Sequence, residues 1–167
     1  MSGFVTPDRD LLMGWLEEKD PRKIELFLNE AYRIKEETIG TKVYLRGLIE
    51  LSNRCSKDCY YCGIRASNKL VERYELNDEQ VYECAMFAWK ARYGSLVLQA
   101  GERSGPRFTS RVTKLVKGIK EMTNGELGIT LSLGEQEREV HQEWFDAGAH
   151  RYLLRIESSN PDLYKKI

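Results

Sequence analysis

The chain is 167 residues long, the size of a single domain. Its 26 basic and 26 acidic residues cancel, which excludes the strong positive field that draws nucleic acid or an anionic membrane surface. With 41% hydrophobic residues it can bury a core, yet no apolar run approaches the length of a membrane span. Met1-Ser2-Gly3-Phe4-Val5-Thr6-Pro7-Asp8 lacks the basic segment and apolar run of a secretory signal, so a cytoplasmic, reducing setting is expected for the four cysteines.

Thr6-Pro7-Asp8 reads as a helix start, with a hydroxyl cap, proline in the first position and an early acid. Leu11, Leu12, Trp15 and Leu16 follow at helical spacing, and Asp20-Pro21 restarts the pattern. A second helix is expected from Pro21 to about Glu37, with Ile24, Leu26, Phe27, Leu28, Ala31, Tyr32 and Ile34 on a broad apolar face. Ile39-Gly40-Thr41 closes it. Residues 1–42 are therefore expected to form a helical cap with no chemistry of its own, and residues 43–167 the main fold.

Val43 to Ser52 reads as a strand, interrupted by Arg46 and Glu50. From its end leaves Asn53-Arg54-Cys55-Ser56-Lys57-Asp58-Cys59-Tyr60-Tyr61-Cys62-Gly63. Thiolates suit zinc or iron–sulfur clusters, and clusters are usually held by four. Only three stand together here. A four-iron cubane on Cys55, Cys59 and Cys62 would keep one iron open for another ligand. A zinc site would need a fourth donor, and His141 and His150 are distant in sequence. A disulfide with one spare thiol would suit a secreted protein, which nothing else in the chain suggests.

Asn77-Asp78-Glu79-Gln80 forms a capping box, opening a helix to about Tyr93 with Val81, Cys84, Ala85, Phe87 and Ala88 available for burial. Cys84 is expected to be a core thiol rather than a fourth ligand. Ser95 to Gln99 is a short apolar strand of the buried kind. After a glycine-rich loop, Ser110 to Met122 returns to helical period. Leu127 to Leu133 is a third strand, followed by a helix through Val140, Trp144 and Phe145. Arg151 to Glu157 is a fourth strand, and Asn160-Pro161 opens another helix. Strand and helix alternate four times at a period of roughly 30 residues, which predicts parallel βα units in an open doubly wound sheet or half a barrel.

The three-cysteine spacing resembles the signature of the radical S-adenosylmethionine (SAM) superfamily. That resemblance implies a 4Fe–4S cluster whose open iron binds SAM, and reductive cleavage of SAM to methionine and a 5'-deoxyadenosyl radical. It favours a (β/α) TIM-type barrel, of which a complete copy takes about 250 residues. The chain, ending in mid-helix after about four units, is expected to be the N-terminal half of such a barrel. Gln99-Ala100-Gly101-Glu102 is similar to the Gly-Gly-Glu motif that binds the SAM amino group, with Ala100 replacing the first glycine.

The same resemblance puts Tyr61 near adenine and Ser132 near the cofactor. Arg155 and Glu157 are two apart, so on a strand they share a face, with Leu154 and Ile156 opposite. Burying both charges against helices would be costly, so the barrel lumen is their expected destination. There an acid could hold the ribose hydroxyls or amino group of SAM and an arginine its carboxylate.

The stretches around Leu48-Ile49-Glu50-Leu51-Ser52-Asn53, Ser132-Leu133-Gly134-Glu135 and Arg151-Tyr152-Leu153-Leu154-Arg155 resemble the HydE-type maturases of FeFe hydrogenase, in the biotin synthase-like group. Methylornithine synthase is the alternative within that group. The resemblance implies a small-molecule or iron-complex substrate, an electron donor such as ferredoxin or flavodoxin, and other hydrogenase maturation proteins as partners, without nucleic acid or membrane. Outside enzymes, the competing reading is an electron-carrier module, which would normally close its cluster with a fourth cysteine.

Overall fold

A computed structural model of the chain describes residues 8–167, so the Thr6-Pro7 part of the first expected helix start lies outside the described residues. The chain divides after Val43 into two compact units. The first contains α1 (Arg9–Glu17) and α2 (Pro21–Ile39). Asp8 caps α1 itself, its carboxylate accepting from the Asp10 N–H at 3.3 Å. Asp20 caps α2 in the same way at 3.0 Å, with Pro21 in the first turn. Gly40, at φ +75°, ends α2 two residues later than expected, its N–H donating to Glu36 O. Trp15 stacks on Phe27 with ring centroids 4.6 Å apart.

The second unit alternates strand and helix: β1 (Arg46–Ser52), α3 (Asp78–Lys90), β2 (Ser95–Ala100), α4 (Pro106–Met122), β3 (Gly128–Ser132), α5 (Arg138–Asp146), β4 (Arg151–Tyr152) and α6 (Pro161–Tyr164). The four strands pair in parallel, in the order β1-β2-β3-β4. The order never reverses, which separates a progressing barrel wall from a doubly wound sheet. No helix among the described residues is long and apolar enough to cross a membrane.

One sheet face carries the core. Ile49 and Leu51, Leu96 and Leu98, and Ile129 and Leu131 pack with Val81 and Ala85 of α3, Val112, Leu115, Val116 and Ile119 of α4, and Trp144 of α5. Alternation sends the intervening residues to the other face, where register aligns Glu50, Gln99 and Ser132 in one row. Strand ends and loops gather beside that row.

Four expectations are corrected. Cys84 and Phe87 are exposed on α3, because Val81, Ala85 and Ala88 complete the buried stripe at helical spacing. β1 begins at Arg46 rather than Val43, where pairing with Ser95 begins. α4 begins at Pro106, one turn before Ser110, since Gly105 at φ +106° turns the chain into a proline-led first turn. β4 is two residues long instead of seven. Its last rung is Leu153 N–H to Leu131 O at 2.8 Å, and β3 itself ends at Ser132. Arg155 and Glu157 therefore stand on an irregular segment, and Leu154 shares their cleft rather than an opposite face.

Asp78, in the first turn of α3, ties that helix to α4: Arg111 Nε donates to it at 2.8 Å and Lys114 Nζ at 3.1 Å. The hydrogen bond from Arg111, then that from Lys114, holds its carboxyl below the ordinary 3.8. A depressed acid stabilises the fold above its unfolded value and loses that contribution as pH falls through the folded one. Asp78→Asn should therefore cost about 1 kcal/mol at pH 7, with the gap to wild type shrinking progressively below pH 3.8. Urea titrations at pH 7 and pH 3 measure both.

Candidate functional site

The cysteine run leaves the end of β1 and returns to an isolated antiparallel bridge between Ser52 and Glu75. Its base is closed by polar side chains. Ser52 Oγ donates to Tyr74 O at 2.8 Å, Asn53 Nδ2 donates to Glu72 O at 2.7 Å, and Asn53 Oδ1 accepts from Tyr74 N at 2.8 Å. Inside the loop, Cys62 N–H donates to Cys59 O, Ala66 N–H to Lys57 O, and Ser67 N–H to the Asp58 carboxylate. Cys55, Cys59 and Cys62 are free thiols, each half-buried.

The end of β2 closes on this loop. Gly101 N–H donates to Ser52 O at 3.2 Å, while Glu102 O accepts from both Ser56 N–H and Ser56 Oγ at 3.0 Å. The Glu102 N–H points at Cys55 Sγ, 3.3 Å away. Only glycine fits at 101: an added Cβ would lie 2.4 Å from Arg54 O and 2.7 Å from Cys55 Cβ. Ala100, by contrast, is half-buried with its side chain packed against the core. The motif's close approach therefore belongs to its second glycine.

Glu102 turns its carboxylate to Lys57, 3.2 Å away, and Lys57 also reaches Glu135 at 3.6 Å. The Glu102 hydrogen bond, with the charges of Glu102 and Glu135, raises the lysine above its ordinary value. Gly134, at φ +82°, lets the Glu102 side chain pass, since a Cβ there would lie 2.5 Å from Glu102 Cγ. Tyr152 fixes this turn from β4, its hydroxyl donating to Gly134 O at 2.7 Å; burial pushes that phenol up to about 12.

Across the row of strand residues, Gln99 Nε2 donates to Glu50 Oε1 at 3.3 Å, and Arg155 Nη2 donates to Gln99 Oε1 at 3.1 Å. Tyr61 lies beside Cys59 and Glu157; partial burial, then these neighbours, raise its phenol. Cys55, Cys59, Cys62, Tyr61, Gln99, Gly101, Glu102, Ser132, Arg155 and Glu157 all line one cleft of about 470 Å³. Glu50, Lys57, Tyr74 and Glu135 line it too, and sequence reasoning missed them. The position of Glu50, one pleat before Ser52 on the non-core face of β1, was a usable signal. Two larger clefts, of about 700 and 740 Å³, open beside the start of α4, and neither is lined by a cysteine.

The donor set can be tested against the metal chemistry. Among the described residues, no three His, Cys, Asp or Glu side chains converge closely enough to hold a single metal ion. The three thiols line one cleft together, and three soft sulfur donors are the donor set of a multi-iron cluster with one open iron. Soft sulfur donors and the open cleft beside them fit the group.

The radical SAM superfamily model matches residues 49–167. The FeFe hydrogenase maturase subunit HydE of Thermotoga maritima is 39% identical over 160 residues, 95% of this chain and 44% of that protein. A biotin synthase of Staphylococcus epidermidis is 30% identical over 135 residues, 79% of this chain and 43% of that protein. The crystal structure of methylornithine synthase (PylB) superposes with a TM-score of 0.84 at 25% identity, covering 99% of this chain and 48% of that one. The chain thus spans just under half the length of these relatives. The family uses a 4Fe–4S cluster and SAM, and the four-stranded parallel wall is the corresponding part of its barrel. By its cysteine loop, its parallel topology and its match over residues 49–167, this chain belongs to the radical SAM superfamily.

Proposed function

We propose that this chain supplies the cluster- and SAM-binding part of a HydE-type enzyme that acts in assembly of the FeFe hydrogenase active site. The observation that carries this reading is the gathering of all three cysteines and all seven expected cofactor residues in one cleft. The 39% identity to HydE over 95% of the chain supports the choice within the superfamily. In this reading Cys55, Cys59 and Cys62 hold three irons of the cluster, and residues 1–42 form a separate cap. When bound, the cluster supplies the electron for reductive cleavage of SAM.

The chain's own residues bind and orient. Gly101 and Glu102 offer backbone and carboxylate to the SAM amino group, and Arg155 takes its carboxylate. Glu157 accepts from the ribose hydroxyls or the amino group, while Tyr61 packs near adenine. Gln99 and Ser132 complete the wall, Gln99 also steadying Arg155. The substrate is a small molecule or iron complex, and a ferredoxin or flavodoxin delivers the electron in a cytoplasmic setting. The second reading, a methylornithine synthase-like enzyme, is favoured by the 0.84 TM-score over 99% of the chain.

The test is anaerobic reconstitution, reduction and measurement of methionine and 5'-deoxyadenosine. Formation of both separates an enzyme from an electron carrier, and formation of neither sinks the proposal. Glu157→Gln should weaken SAM binding about tenfold, the worth of one hydrogen bond to a charged acceptor, and leave iron content unchanged. Equilibrium dialysis against labelled SAM reads the affinity; no change would remove Glu157 from the site.

A further inference from the structure

The cysteine loop has little apolar burial to order it. Tyr60, Tyr61 and Leu70 are 76%, 54% and 98% exposed, and no helix or strand lies between Ser52 and Glu75. A loop of this length without a core loses much conformational entropy on ordering, so another set of contacts must hold it. Arg73 supplies that set. Its half-buried guanidinium donates from Nη1 to Asn53 O at 2.6 Å and Ile64 O at 2.8 Å. From Nη2 it donates to Arg65 O at 2.7 Å and Asn68 O at 3.1 Å.

The placement of these carbonyls matters. Asn53 lies two residues before Cys55, and Ile64 two residues after Cys62. One nitrogen therefore holds both flanks of the cysteine run. Asn53 completes the clamp by binding Glu72 O and Tyr74 N, the residues on either side of Arg73. We propose that Arg73, braced by Asn53, is a positioning residue that sets the cysteine loop in its ligand-bearing shape before any metal arrives. This rests on the reading of Cys55, Cys59 and Cys62 as cluster ligands. Lysine cannot replace it: an ammonium donates from one atom, whereas the guanidinium presents two separate nitrogens to two pairs of carbonyls.

The test compares wild type with Arg73→Lys and Arg73→Met. In metal-free, reduced protein, hydrogen exchange of residues 56–70 should quicken at least tenfold in both variants, while the amides of α4 stay unchanged. After anaerobic reconstitution with ferrous iron and sulfide, iron per chain should fall at least threefold. Unchanged loop exchange with full iron content would overturn the proposal. Equal acceleration in α4 would also overturn it, by showing general destabilisation. If Arg73→Met does not fold by circular dichroism, Arg73→Lys, which keeps the charge, decides alone. If wild type takes up no iron, the ligand reading fails, and the exchange result still decides whether Arg73 shapes the loop.

Discussion

Cys59→Ala should abolish the four-iron cluster in reconstituted protein, whereas Cys84→Ala should leave iron content, visible absorption and EPR signal unchanged. Cys59 lines the same cleft as Cys55 and Cys62, and its carbonyl accepts the Cys62 N–H, so its thiol belongs to the loop's own geometry. No other cysteine lines that cleft to take its place. Two thiolates would leave two irons without protein ligands, and cluster chemistry tolerates that poorly. Cys84 is exposed on α3 and outside the cleft. Its replacement should also change stability by less than about 0.5 kcal/mol, the usual range for an exposed position. Loss of the cluster on Cys84→Ala as complete as that on Cys59→Ala would refute the ligand assignment.

Gly101→Ala should be the most damaging single methyl addition to the site. The new Cβ meets Arg54 O at 2.4 Å and Cys55 Cβ at 2.7 Å, so the obstruction is the first turn of the cysteine loop itself. The loop must retreat from β2. That loosens the Ser56–Glu102 hydrogen bonds and the approach of Glu102 N–H to Cys55 Sγ. Overpacking of this kind costs about 1–3 kcal/mol. Reconstitution should yield less iron per chain, and SAM affinity should fall with it because Glu102 moves too. Gly63→Ala is the control, since nothing lies within 4 Å of a Cβ there. Equal iron content in the two variants would show that the β2 turn does not support the loop.

The local patterns were readable in sequence because their causes are local. Three cysteines in one run, the Asn77–Gln80 capping box and the apolar stripes of the strands depend on residues a few positions apart. Of the ten candidate residues, the three cysteines could be named by their spacing, and Tyr61, Gln99, Gly101, Glu102 and Ser132 through the family resemblance. Arg155 and Glu157 could be named by their place at a strand end of a parallel α/β fold. The barrel itself came from resemblance, since alternation alone left an open sheet equally available. The strand order decided between them.

Other features exist only once distant segments meet. Cys84 follows the same helical period as its neighbours, and only the direction from which the sheet approaches α3 left it outside. β4 has the composition of a seven-residue strand, but a strand lasts only while its neighbour offers hydrogen bonds, and β3 stops at Ser132. The Lys57–Glu102 pair, the Gly101 contact with Arg54 and the Glu50–Gln99–Arg155 chain join residues tens of positions apart. No local sequence pattern singles out Arg73. Its role arises because four carbonyls converge on it, and backbone carbonyls leave no mark on the identity of the residues that carry them.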